Sequence, residues 1–567
     1  MNQVIFLILR RMRAPLVALI VVYAISILGL VLIPGTDAEG NPWRMDFFHA
    51  FYFVSYMATT IGFGEIPYTF NEAQRMWTVI AVYLTVVGWL YAIGKILALM
   101  QSAAFKQAVV EQAFARGVRH MTEPFYIVCG YGDTGSLLVK SMVQRNMRAV
   151  VVDVDADRIN ELELEDLDLY VPGLCADASL SLTLNEAGLK SRHCVGVVAL
   201  TDSDAVNLKI AITTKLLHPG IKVICRAETH DAEANMVSFG TDRVINPYDT
   251  FAHRLALALH SPGTHLIYEW LTGVPESELP VPLYPPHGTW VLCGYGRFGK
   301  AVKENLDKEG VETVIVEIDP EGTGCGDLCV VGRGTEAETL MSAGIEQAAG
   351  IVAGTDDDAN NLSIVMTAAH LNPDLFMVAR QNKRDNDEIF GAALLDLVMQ
   401  RSEIIARDIL ALLTTPLLDR FLRLILKESN EWANEQVSRL SAVTGEVVPD
   451  VWSFHIDDED APAVMEVMHD GERVALGDLL RNPRQREEWL ECIPLLLSRR
   501  NHETFLFPGN HLTLEPGDEI LFSGKGWMME RMKWSLQNLN ALRYVQTGEQ
   551  HASGHLWRLL AGHRVDS

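Results

Sequence analysis

The sequence predicts a membrane-embedded all-α hairpin, then two tandem α/β domains with parallel sheets, then a small α+β domain. Three observations predict it. Residues 1–100 hold two long apolar runs with a shorter apolar run between them. Two later stretches, beginning at Phe125 and Thr289, repeat one another in a strand–glycine turn–helix–strand order. The chain has 567 residues, too many for one core when single domains rarely exceed roughly 200 residues.

Composition narrows the partners. A formal net charge of −26 repels a polyanion, which argues against nucleic acid and suits a surface that attracts cations. The eight cysteines, among them Cys325 and Cys329, show neither disulfide nor zinc spacing and read as reduced intracellular residues.

The first apolar run gives a membrane helix over 15–34. It carries no charge and follows Arg10, Arg11 and Arg13, which places the N-terminus in the cytoplasm. It is too long for a signal peptide. A second helix over 76–100 has Lys95 and Lys106 toward the same side, so both ends of the chain are expected in the cytoplasm. Between them, 45–58 is too short to span the bilayer and too apolar for an exposed loop. A half-membrane helix fits it, with Asp46 at the N-terminal end where a carboxylate is favoured.

Residues 59–65 follow as Thr-Thr-Ile-Gly-Phe-Gly-Glu. Non-helical backbone at membrane depth is tolerated where it lines a water-filled path. Aiming successive carbonyls at one axis needs left-handed residues in alternation, which Gly62 and Gly64 permit. Four such strands would stack oxygen rings from Thr60, Ile61, Gly62 and Phe63, with the Thr60 hydroxyl adding a lowest ring, able to replace the hydration shell of a cation. Gly88 and Gly94 in the second helix are candidate hinges, the competing role being close helix packing.

Thr60, Ile61, Gly62, Phe63 and Gly64 resemble the Thr-Val-Gly-Tyr-Gly selectivity filter of potassium channels, and the helix–pore helix–filter–helix order resembles their two-transmembrane pores. Phe63 stands for Tyr and Glu65 for the usual Asp. The resemblance implies K+ as the conducted ion and a homotetramer around the filter axis.

A linker over 101–124 of mixed apolar and charged residues reads as helical. In the repeats, Gly130, Gly132 and Gly135 form one G-x-G-x-x-G and Gly294, Gly296 and Gly299 the other. Gly130 and Gly294 are 164 positions apart, as are Asp153 and Glu317. This is the Rossmann dinucleotide fingerprint: a tight turn, an open backbone for pyrophosphate, a close helix contact and a carboxylate for ribose. Arg297 follows the second glycine of its loop where the first has Asp133, which favours phosphate at the second. Further on, Asp202 and Asp356, Asn207 and Asn361, and Arg226 and Arg380 are each 154 apart. Segments 235–259 and 387–413 are expected to be helical, and His511–Gly524 resembles the strand pair of an RCK-family C-lobe.

This tandem pattern resembles the RCK (KTN/TrkA-N) family that regulates potassium conductance, and tandem RCK units after a pore resemble dual-RCK channels of prokaryotes. The fold class is then a two-helix potassium-channel pore (1–100), a linker (101–124), RCK domains at 125–285 and 286–425, an RCK C-lobe at 426–535 and a tail at 536–567. The resemblance implies a ligand-gated potassium channel of the bacterial inner membrane, with eight RCK units in a ring and NAD or ADP as regulatory nucleotide. The site residues it implies are Gly130, Gly132, Asp133, Thr134, Gly135, Asp153 and Asp177 in the first repeat. In the second they are Gly294, Gly296, Arg297, Phe298, Gly299, Glu317, Thr355 and Asp356. It also implies Ca2+ as a possible ligand, with carboxylates in 155–168, 356–358 and 457–460 as candidates, none in EF-hand spacing. Other readings are a weakly selective cation channel, a membrane-anchored NAD-dependent oxidoreductase and a transporter subunit. No acid–base constellation beyond the fingerprint supports hydride chemistry, so no enzyme is expected.

Overall fold

The computed structural model describes residues 2–326 and 329–549, in two units, Met1–Met121 and Thr122–Ser567. The first unit holds four helices, α1 (Asn2–Leu32), α2 (Phe47–Ala58), α3 (Glu72–Gln101) and α4 (Ala103–Arg119). Met12–Leu32 and Glu72–Gln101 are long and apolar enough to cross a membrane, with mean hydropathy 2.7 and 1.8. Only 22% of each span is buried within the chain, unlike the core helix of a soluble protein, so their apolar flanks call for lipid or further helices.

Local chemistry sets the boundaries. Asp46 caps α2, its Oδ1 accepting from the His49 amide at 2.8 Å. Asn71 and Gln74 form a reciprocal capping box at the start of α3. α1 and α3 meet where the Trp77 indole donates to Ser26 O at 3.0 Å. A Cβ on Gly29 would lie 2.0 Å from that indole, so only glycine fits there. α3 ends at Ser102, an extended residue before α4.

The second unit contains two six-stranded parallel sheets. The first is β1 (Phe125–Cys129), β2 (Arg148–Asp153), β3 (Gly173–Cys175), β4 (Cys194–Ala199), β5 (Lys222–Arg226) and β6 (Arg243–Ile245), ordered β3-β2-β1-β4-β5-β6. The second is β7 (Trp290–Cys293), β8 (Thr313–Glu317), β9 (Cys329–Val331), β10 (Gly350–Ala353), β11 (Phe376–Gln381) and β12 (Leu397–Gln400), ordered β9-β8-β7-β10-β11-β12. Both are doubly wound, with a crevice where the order reverses.

The helices that matter for the site are α5 (Asp133–Gln144), α6 (His230–Ser238), α7 (Pro247–His260), α8 (Arg297–Lys308) and α9 (Arg401–Thr414). The repeats exchange them: α7 of the first packs on α8 of the second, and α9 of the second packs on α5 of the first. Ile405, Ala406, Ile409 and Leu413 thereby complete the first core, and Tyr248, Phe251, Ala252 and Leu255 the second. Neither repeat has a closed core alone.

Two expectations are corrected. The segments 235–259 and 387–413 are not wholly helical, because each holds the sixth strand of its sheet, β6 or β12, paired in parallel with its neighbour. His511–Gly524 contains one strand, not two. Thr513 makes only an isolated bridge to Ala475, and the chain turns at Pro516-Gly517 before Glu519–Gly524. That strand lies in an antiparallel sheet between Asp450–His455 and Cys492–Ser498, with Thr504–Leu506 at the edge. The core of this domain extends beyond 535, to Leu542 and Val545. Residues 550–567 of the expected tail lie outside the described residues.

Candidate pore loop and nucleotide cleft

In the loop after α2, Thr60, Gly62 and Gly64 have φ of 63°, 66° and 74°, while Ile61 and Phe63 keep the ordinary sign. This alternation turns successive carbonyls to one side of the strand. A Cβ on Gly62 or Gly64 would meet nothing within 4 Å, so backbone conformation and not space demands glycine there. Thr60 takes the same conformation without that freedom, which its sequence does not reveal. Its amide donates to Met57 O at 3.1 Å and that of Ile61 to Tyr56 O at 3.0 Å. The Tyr56 hydroxyl donates to Glu65 O at 2.8 Å and that of Tyr52 to Glu65 Oε2 at 3.1 Å. Two helix tyrosines thus tether the far end of the loop, where Phe63 has no hydroxyl to do so. Ile61 and Phe63 are 60% and 68% exposed, with Phe63 meeting the Tyr56 ring edge-on at 6.0 Å.

The two glycine loops share one construction. A Cβ on Gly135 would lie 2.0 Å from Gly130 O, and one on Gly299 2.0 Å from Gly294 O. Gly130 and Gly294 have φ of 104° and 97°. Asp153 accepts from the Tyr131 amide at 2.5 Å, and Glu317 from the Tyr295 amide at 2.6 Å. Each buried carboxylate therefore clamps its own glycine loop to the end of the second strand, with lone pairs left for a ligand hydroxyl.

Their surroundings differ. The first loop opens into a cleft of about 530 Å³ shared by both repeats. Gly132, Asp133 and Thr134 form one wall; Arg158, Arg226, Arg297, Arg380, Arg384 and Arg401, with Lys383, face it against only Asp202 and Asp356. Arg158 leans over the loop, its Nη1 3.2 Å from where a Gly132 Cβ would stand and 3.6 Å from Asp153. Arg380 holds Asp356 at 2.6 Å and the Tyr248 hydroxyl at 3.3 Å. The buried Nε atoms of Arg226 and Arg380 have no partner among the described residues. Glu228 draws Arg226, Arg297 at 2.6 Å and Arg401 at 2.8 Å around itself. Burial alone would raise the Glu228 carboxyl, but the three guanidiniums hold it below the ordinary carboxylate value.

Residues 16–102 match the family described as Ion channel, and residues 126–247 and 290–401 each match the TrkA-N domain. The chain joins an ion-channel segment to two TrkA-N domains. Potassium channel protein 1 of Methanocaldococcus jannaschii is 26% identical over 204 residues, covering 36% of this chain and 59% of that protein. Probable potassium channel protein 2 of the same organism is 28% identical over 223 residues, 39% of this chain and 62% of its own. The chain thus spans less than two thirds of these relatives. The solved GsuK channel is 17% identical and covers 94% of this chain and 99% of its own, with a TM-score of 0.47.

Of the expected nucleotide residues, Gly132, Asp133, Thr134, Arg297 and Asp356 meet in the shared cleft, with Gly130, Gly135 and Asp153 behind the first wall. The others do not join them. Phe298 is buried in the core against Tyr248 and Phe251. The Thr355 hydroxyl donates to Asn361, and Asp177 accepts from the Ser179 amide. Gly294, Gly296, Gly299 and Glu317 form the second loop, whose Arg297 is turned away to Glu228. The first loop lines the cationic cleft under Arg158, whereas at the second a Cβ on Gly296 would meet nothing within 4 Å. Arg158, Lys383, Arg384 and Arg401 had no signal as site residues. The recurrence of Arg226 as Arg380 marked that pair without saying what it faces.

In the ion-channel segment, α3 runs unbroken through both candidate hinges. Gly88 lies against Leu19 and Val22 of α1, whereas Gly94 faces nothing within 4 Å. Three of the candidate calcium carboxylates, Asp155, Asp358 and Asp457, accept local hydrogen bonds. Asp155 caps a short helix, Asp358 accepts from the Asn382 and Lys383 amides, and Asp457 accepts from Glu459 and Asp460. Among the described residues His230, Glu233 and Asp249 do gather, but at two helix N-termini, where the backbone's partial positive charge opposes a cation.

Proposed function

We propose that the chain is one subunit of a homotetrameric potassium channel of the bacterial plasma membrane, gated by a nucleotide at the first TrkA-N domain. The observation that carries the pore reading is the left-handed conformation of Thr60, Gly62 and Gly64, in a tethered loop between two apolar spans. Four copies would supply stacked carbonyl rings able to replace the hydration of K+. Both chain ends and the TrkA-N domains lie in the cytoplasm in this reading, following the arginines before the first span.

For the nucleotide, the residues present fit a di- or polyphosphate of the NAD or ADP type. The N-terminal amides of α5 point to the cleft, as suits a pyrophosphate. Arg158 stands over the loop, and Arg226 and Arg380 bring guanidinium groups to the cleft from both domains. The nucleotide acts as an effector and not as a substrate. A ligand touching both domains binds one arrangement of them better and shifts its population, with a typical coupling of about 1–3 kcal/mol. Residues 120–124 join α4 to β1 and are the covalent route to the pore.

The experiment is single-channel recording of the purified protein in planar bilayers with a potassium–sodium gradient, with and without NAD and ADP. A reversal potential near that of potassium and a ligand-dependent open probability are expected. Open probability unchanged at saturating nucleotide removes the gating reading and leaves the pore. Absence of potassium flux under every condition removes the pore.

A further inference from the structure

Equivalent positions in the two TrkA-N domains lie 154 apart over the exchanged helices. α7 and α9 begin at 247 and 401, and each is followed by a hydroxyl residue and proline, Ser261-Pro262 and Thr415-Pro416. With α7 on α8 and α9 on α5, the domains are related by a pseudo-twofold axis, near which a residue meets its own equivalent. Arg254 and Asp408 are such equivalents. Arg254 Nη2 lies 2.5 Å from Asp408 Oδ1, the arginine 8% exposed and the aspartate side chain 14% exposed. The Tyr268 hydroxyl at 3.2 Å and Glu269 at 3.4 Å take up further guanidinium donors.

A pair of first domains would set Arg254 against Arg254, and a pair of second domains Asp408 against Asp408. Contacts away from the axis follow the same rule. Arg297 of the second domain meets Glu228 of the first; their equivalents are Asp133 and Asn382. A first-domain pair would therefore place Asp133 by Glu228, and a second-domain pair Arg297 by a neutral amide. Arg243 holds Asp419; their equivalents are Leu397 and His265, so neither like pair keeps that ion pair.

We infer that these charges make the surface heterotypic: each TrkA-N domain accepts the unlike domain as partner and rejects its own kind. Two like charges held together out of water lose hydration and repel each other, which Glu269 beside each Arg254 offsets only in part, whereas the unlike pair supplies its own counter-charge. Several assembled copies present both surfaces at high local concentration, and the code keeps first and second domains matched.

Hydrogen exchange of α7 and α9 in the full-length protein tests this. Asp408→Arg sets arginine against arginine, the arrangement of a first-domain pair, and Arg254→Asp reproduces that of a second-domain pair. Each single reversal is expected to speed exchange of both helices roughly a hundredfold or more. The double exchange, Arg254→Asp with Asp408→Arg, is expected to return them to within about tenfold of wild type. A single variant too unstable to purify agrees with the inference, and the double exchange then decides. Wild-type protection in either single reversal overturns the inference, since the charges would then tolerate like pairing. Failure of the double exchange to recover also overturns it, assigning the loss to local packing instead of charge.

Discussion

The first and second TrkA-N domains share strand order, glycine spacing and helix exchange, yet one glycine loop faces a cationic cleft and the other has its nearest arginine engaged elsewhere. The difference lies in which charges surround the same backbone. Arg158 comes from a stretch that the second domain lacks in this form, and it leans over Gly132. Arg297, by sequence the better phosphate ligand, spends its charge on Glu228 of the opposite domain. Duplicated folds therefore preserve the cradle more faithfully than its occupant, because the cradle is set by steric contacts within the loop and occupancy by side chains reaching in from elsewhere.

The sharpest way to break the comparison is at the third glycines. Gly135→Ala and Gly299→Ala place a methyl group 2.0 Å from a carbonyl oxygen in either domain, so both should cost up to about 3 kcal/mol of stability by overpacking, read as a fall in thermal midpoint. Only Gly135→Ala should also abolish nucleotide binding in calorimetry. Equal loss of binding from both would mean that both loops are occupied.

Next in size are the arginines. Arg158→Ala removes a cation over the first loop and should weaken ADP binding about tenfold or more, as expected for a hydrogen bond to a charged group. Arg297→Ala should leave binding within a few-fold and instead loosen the domain contact around Glu228. The reverse ranking would restore the second loop as the site.

A smaller effect separates the domains by pH. His265 is buried, and burial pushes its imidazole below the ordinary 6.5, with Glu269 opposing and Arg254 adding to the shift; the equivalent position in the second domain is Asp419. A lowered histidine favours the neutral form in the folded chain. Its contribution is complete above about 6.5 and is lost as pH falls through that value toward the folded one. Melting between pH 7.5 and 5 should show stability falling as the solution is acidified, and His265→Gln should flatten that slope.

How far the sequence reveals these features depends on how local their causes are. The glycine fingerprints and the acid closing each second strand are legible, since a left-handed turn and a close helix contact leave glycine few substitutes. The pore loop is legible for the same reason at Gly62 and Gly64, but not at Thr60, whose conformation is imposed by hydrogen bonds to the end of α2. β6 and β12 are hidden because three or four strand residues between two helices leave no period to read. The cleft is hidden most completely. Arg380, Arg384 and Arg401 line one cleft with the first glycine loop only because the domains pack face to face, and nothing in the spacing within one repeat encodes that approach.

The finest test concerns Asp133, whose carboxylate at the start of α5 faces the phosphate position expected for the first loop. In the second domain the equivalent residue is Arg297, so a sequence comparison makes Asp133 the strongest mark against the first site. The cleft changes its weight, since seven cationic side chains line a space with three carboxylates, and a single further negative charge is outnumbered. Asp133 also gains from the helix N-terminus it occupies, which compensates part of what it costs the ligand. Asp133→Asn should therefore strengthen ADP binding only a few-fold, with an increase that shrinks as salt is raised. A gain of a hundredfold would show that the arginines do not set the field at the loop, and that the two domains differ by that one residue.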